Sequence, residues 1–222
     1  MSAENAILAA VFWPLAGALA IALAGRVSAN LRETVTLVTA GGLAYVVWQI
    51  VPDVMAGARP AVTLAEVLPG ISIAFTVEPL GMLFAALASG LWIVNSIYSI
   101  GYMRGNNEKN QTRFYVMFAV SLAATMGVAF AGNLITLFLF YEMLTLSTYP
   151  LVAHKGDEKT VRSARVYLGV LLTTSIGLFL PAIIWTYAVA GGGVALPAHH
   201  DQVATERRDR LRRSPRDRTD PS

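Results

Sequence analysis

Six runs of apolar residues, each long enough to cross a lipid bilayer, constrain this sequence more than anything else in it. They fall at about 5–25, 33–51, 79–103, 114–131, 133–153 and 166–190. About 20 apolar residues in a helix match the hydrocarbon thickness of a bilayer. Only helices and closed barrels satisfy every backbone group in lipid. Barrel strands would alternate over about ten residues, and these continuous runs do not. The expected fold is an all-α polytopic membrane protein of about six transmembrane helices. A composition of 55% hydrophobic and 14% charged residues fits that class. The chain has no cysteine, so disulfides, thiolate metal sites and cysteine nucleophiles are all excluded. Met1-Ser-Ala-Glu4-Asn has no positive charge and the run after it exceeds a signal-peptide core, so the first run reads as an uncleaved span.

Loop charge sets the expected orientation. Arg26 and Arg32 lie between the first two spans, and Arg104, Lys109 and Arg113 between the third and fourth. Lys155, Lys159, Arg162 and Arg165 lie between the fifth and sixth. All nine fall on one side, whereas the other side before the tail has only Arg59 against Asp53 and Glu66. The positive-inside rule puts the basic loops in the cytoplasm and the N-terminus outside. In the long outer loop, Ile71-Ser-Ile-Ala-Phe-Thr-Val77 alternates apolar with small or polar residues. Pairing with Val62-Thr-Leu-Ala-Glu-Val67 across Leu68-Pro69-Gly70 predicts a small outer β-hairpin. Pro181 inside the sixth span disturbs the carbonyl of Gly177 and predicts a kink or local opening, and Pro14 and Pro150 bear on Ala10 and Leu146 in the same way. The Ala16/Ala20/Ala24 spacing predicts a close helix approach.

Residues 1–190 therefore read as a transmembrane domain and 191–222 as a polar, arginine-rich, disordered tail. Arg207, Arg208, Arg210, Arg212, Arg213, Arg216 and Arg218 crowd a segment that the preceding topology places outside. A truncated or frameshifted reading frame would produce so abrupt a change. His199-His200 is not expected to be a metal site, since no further ligand has a defined geometry. The basic pI reflects topology and tail, and no nucleic-acid partner is expected.

Glu142 sits at the centre of Asn133-Leu-Ile-Thr-Leu-Phe-Leu-Phe-Tyr-Glu142-Met-Leu-Thr-Leu-Ser-Thr-Tyr-Pro-Leu-Val-Ala153. A carboxylate at mid-bilayer costs roughly 2.5–3.5 kcal/mol on insertion scales, so it should face protein or internal water. Leaving bulk water disfavours its charged form, which suits a group that takes up and releases protons. Thr145 and Tyr149, three and seven positions on, share its helix face and could hold a short water chain. Thr173, Thr174 and Ser175 of the sixth span are further pathway candidates, although intramembrane hydroxyls mostly bond their own backbone. His154 is the candidate shuttle at the inner mouth, because an imidazole changes charge near neutrality. Glu78, before Pro79, suits the positive end of the third helix.

Glu78-Pro-Leu-Gly-Met-Leu-Phe84, Tyr98-Ser-Ile-Gly-Tyr-Met103 and the Asn133–Val152 segment together resemble the antiporter-like proton-channel subunits. That family includes the large membrane subunits of respiratory complex I and the Mrp-type cation/proton antiporters. The resemblance covers roughly residues 5–190. It implies that Glu142 is the essential carboxylate of a first half-channel, working opposite a lysine on the next helix but one. It also implies other membrane subunits as partners, protons or monovalent cations as cargo, and a bacterial cell membrane as the location. No cofactor is expected, and redox centres would belong to partner subunits of an NADH-quinone oxidoreductase-like complex. Family members carry about fourteen helices in two inverted repeats, so the resemblance implies a C-terminally truncated member. Residue 78 is glutamate where aspartate is usual, and no lysine or arginine lies between Arg165 and Arg207. The competing reading is a non-transporting scaffold or assembly subunit in which Glu142 only stabilises packing.

Overall fold

The computed structural model describes residues 2–68, 71–154 and 156–189. The tail, the histidine pair and the Pro69-Gly70 turn lie outside the described residues. Within them, α1 (Ala3–Val27), α2 (Ala29–Met55), α3 (Pro79–Gly105), α4 (Gln111–Ala129) and α5 (Leu134–Val152) are single helices. The sixth span runs as α6 (Glu158–Thr174), a π turn (Ser175–Phe179) and α7 (Leu180–Val189). All six are long and apolar enough to cross a membrane.

The helices α1 to α4 form a four-helix group in which α1 packs on α2 and α4, and α3 bridges α2 and α4. Its core is built from Ile7, Val11, Ile21, Leu43, Val47, Trp92 and Met126. The helix α5 adds to α4, and the sixth span packs chiefly on α5. Large side chains such as Leu87, Leu91, Val170 and Trp185 stay exposed on the outer faces, which is where lipid tails would solvate them.

The expected loop 26–32 is in fact a single residue. Ser28 closes α1 by donating its N–H to the Ala24 carbonyl, and its Oγ accepts the Leu31 N–H at 3.1 Å to open α2. Arg26 therefore ends α1 and Arg32 lies in the first turn of α2. The close approach along α1 also differs from the expected alanine series. Ala16 and Ala20 are exposed, and the seam runs through Gly17 beneath Thr39 and Gly25 beneath Thr112. Neighbouring helical positions sit about 100° apart, so a one-residue error rotates a stripe off its interface.

The hairpin forms as expected: β1 (Ala61–Leu68) pairs antiparallel with β2 (Ile71–Thr76), Ala61 opposite Thr76 and Val62 opposite Phe75. Its register slips between Thr63 and Ala65 and again between Glu66 and Leu68, which bends the ribbon. Pro181 acts as expected. With no N–H to offer at residue 181, the helix widens just before it, and the Leu180 N–H bonds the Ser175 carbonyl five residues back. The helices α1 and α5 continue through Pro14 and Pro150.

The contact between α4 and α5 depends on Gly127, where a Cβ would overlap the Phe140 ring. Replacing Gly127 by alanine should cost about 1–3 kcal/mol through overpacking, read as a lower unfolding midpoint in detergent.

Candidate functional site

The hairpin fixes the start of the helix that carries Glu142. Asn133 caps α5, its Oδ1 accepting the Thr136 N–H at 2.8 Å, while its Nδ2 donates to the Ser72 carbonyl at 2.6 Å. Thr136 Oγ1 accepts the Ala74 N–H at 3.0 Å, and backbone bonds join Gly132 to Ala74 and Thr76 to Phe130. Glu142 then lies nine residues along, roughly 13 Å deeper. Asn133→Ala removes the cap and one of these ties together. It should cost about 1–2 kcal/mol, and hydrogen exchange at the α4–α5 junction should rise accordingly.

Glu142 is partly buried, and its Oε1 is fully buried with no hydrogen-bond partner among the described residues. Phe138, one turn earlier, and Thr145, one turn later, share its face. The Phe138 ring meets Phe179 at 5.9 Å between centroids, so this stripe borders the sixth span. Tyr141, beside Glu142 in sequence, also meets Phe179, at 6.4 Å. A cleft of about 450 Å³ adjoins this contact, lined by Leu137, Tyr141, Thr174, Ser175, Leu178 and Phe179.

Of the pathway candidates, Thr145 is buried and Tyr149 half-buried on the Glu142 stripe. Thr174 and Ser175 reach the cleft, but their hydroxyls donate to their own backbone, at the Val170 and Leu172 carbonyls. Thr173 is exposed. His154, about 18 Å along the chain axis from Glu142, has both ring nitrogens buried without a hydrogen-bond partner among the described residues. Its ring stands against Phe114 at 5.6 Å, and its carbonyl accepts from Arg113. Between the two levels, Ser121 of α4 and Ser147 of α5 meet at 2.8 Å while each also reaches a carbonyl on its own helix. Three contacts share two hydroxyl protons, so this pair can reorient within the seam. Glu78 makes no capping bond, and instead pairs with Arg59 at 3.3 Å.

The best-built polar cluster was missed from sequence. Glu33 is buried between Arg32 of its own helix and Arg104 of α3. Arg104 Nε donates to Glu33 Oε1 at 2.9 Å, and another of its nitrogens donates to Asn30. Arg32 donates to Gln111 Oε1 at 2.7 Å and to Thr112, with its guanidinium 5.2 Å from the Tyr115 ring. Two cations counted as free loop anchors are thus the walls of an ion cluster joining α2, α3 and α4. The available signal was an acid next to Arg32 at the start of an otherwise apolar span.

Six apolar crossings define an integral membrane protein, which carries a short hairpin, a buried Glu33 and a partly buried Glu142. Part of the chain is similar to antiporter-like membrane subunits. Residues 131–205 match the family model described as NADH:quinone oxidoreductase/Mrp antiporter, TM. The chain is 27% identical over 123 residues to NADH-quinone oxidoreductase subunit N of Desulforudis audaxviator, covering 55% of this chain and 24% of that protein. It is 32% identical over 98 residues to Na(+)/H(+) antiporter subunit A1 of Staphylococcus aureus, covering 44% and 12%. The fold matches a chain of the Mrp complex from Dietzia sp. with a TM-score of 0.70 at 25% identity, covering 88% of this chain and 36% of that one. A chain of the archaeal membrane-bound sulfane sulfur reductase matches at 0.72 with 16% identity, covering 83% and 37%. The chain thus spans a quarter or less of these two relatives and just over a third of the structural neighbours.

Proposed function

We propose that this chain is a proton- or cation-translocating membrane subunit and that Glu142 carries the transported charge. The supporting observation is Glu142 Oε1, buried at mid-span without a partner among the described residues. An intramembrane acid used only as packing glue would donate or accept across helices, and a buried polar atom left unpaired costs about 1–3 kcal/mol. An exchanging proton, water or cation would satisfy it. Thr145 and Tyr149 line its face for a water chain, and His154 lies at the inner end, where its imidazole would relay protons.

The N-terminus lies outside and the basic connections inside, in a bacterial cell membrane. The sequence has no lysine or arginine between Arg165 and Arg207, so the cation facing Glu142 comes from a further membrane segment in a multisubunit assembly. That same gap favours a second reading, a non-transporting scaffold. The test is proton flux across vesicle membranes carrying the assembled complex, followed with a pH-sensitive dye. Flux abolished by Glu142→Gln supports the transport reading, and unimpaired flux refutes it.

A further inference from the structure

The π turn in the sixth span has a position that packing alone does not require. It ends on Phe179, whose ring is held between Phe138 and Tyr141, the residues one turn before and one position before Glu142. Beside this clasp lies the cleft of about 450 Å³, large enough to receive a phenyl ring. On the same helix, next to Tyr141, Glu142 Oε1 is buried without a partner among the described residues. We propose that the π turn and Phe179 form a register switch that opens and closes water access to Glu142.

A π turn carries one residue more than an α turn. Passing that extra residue along the helix rotates the segment beside it by about 100° and shifts it by about 1.5 Å. Such a step takes the Phe179 ring out of the Phe138–Tyr141 clasp and into the cleft. Pro181 keeps the two registers close in energy, because it has no N–H with which to complete the regular ladder at the Gly177 carbonyl. Gly177, within the turn, has open space around it, so nothing packed there resists the rotation. The moving span also leans chiefly on α5, so little other packing is broken. In the closed register Phe179 packs on Phe138 of the stripe, and in the open one that cover is withdrawn. This switch rests on Glu142 being the ion-handling group, but it makes a prediction about access that transport does not enter.

The absence of cysteine makes any introduced thiol a single reporter. Thr145→Cys, buried on the Glu142 stripe, would be placed in the full chain in phosphatidylcholine vesicles and treated with a charged, water-soluble methanethiosulfonate. An open register populated at a few per cent or below makes the parent react slowly. Phe179→Ala, which removes the cover, should accelerate the reaction about tenfold or more. Leu178→Ala lines the same cleft outside the clasp and should change the rate less than about twofold. Flat rates in Phe179→Ala, or equal acceleration in Leu178→Ala, overturn the switch. Flat rates with flux lost in Glu142→Gln sink the switch alone, whereas accelerated rates with flux intact in Glu142→Gln sink the ion-handling reading alone.

Discussion

Glu142→Gln should lower proton flux through the assembled complex by at least about a hundredfold while leaving the helices intact. Glutamine keeps the length, volume and hydrogen-bonding capacity of a protonated glutamate, so packing against the Phe138 and Thr145 face changes little. What it loses is the exchangeable acid. A pathway that needs this group has no substitute on the same face, where Thr145 and Tyr149 offer hydroxyls and no second carboxyl. Glu142→Asp shortens the reach by one methylene and should retain part of the flux. The measurement is dye-reported acidification in vesicles, with the unfolding midpoint of each variant taken alongside. A glutamine variant that transports normally would return Glu142 to the role of a packing residue.

The second large effect concerns stability. Glu33→Gln should destabilise the four-helix group by about 3–5 kcal/mol, because it strands Arg32, only 6% exposed, without its counter-charge. Arg104 contributes less to that figure, since its side chain is 48% exposed and water screens its charge. The cause can be isolated. Adding Arg32→Leu to Glu33→Gln removes the stranded cation and should recover much of the loss, as replacing a whole buried pair is often close to neutral. Unfolding in detergent followed by tryptophan fluorescence would report both, with Trp92 buried in the affected core. Two losses that simply add would show that the residues act separately.

Much of the fold was legible because lipid-spanning helices leave so little choice. The run lengths located five crossings to within about four residues, and period-two alternation at Ile71–Thr76 located the hairpin. The sixth crossing begins at Glu158, eight residues before the expected 166, so Lys159, Arg162 and Arg165 lie on its first turns and not in a loop. Glu142 was legible for the same reason, as an acid where apolar residues should be. The misreadings came from side-chain direction. Ala16 and Ala20 have the right spacing but lie off the seam occupied by Gly17 and Gly25. Arg32 and Arg104 were read as solvated loop charges because their partner, Glu33, is distant from Arg104 in sequence and meets it only after α2 and α3 pack. The hairpin's grip on Asn133 and Thr136 was hidden likewise, since those bonds cross about sixty residues of chain. The Pro181 disturbance was visible in sequence, but its form as a widened turn against Phe138 and Tyr141 was not.

The single serine between the first two helices has a consequence for biogenesis. Ser28 caps both neighbours at once, so 25 and 27 residues of apolar helix are hinged on one unit of backbone. Neither can settle in the bilayer while the other waits outside it. Insertion of the two as one antiparallel pair is the expected result, and a few flexible residues inserted at position 28 should let each helix enter the lipid on its own.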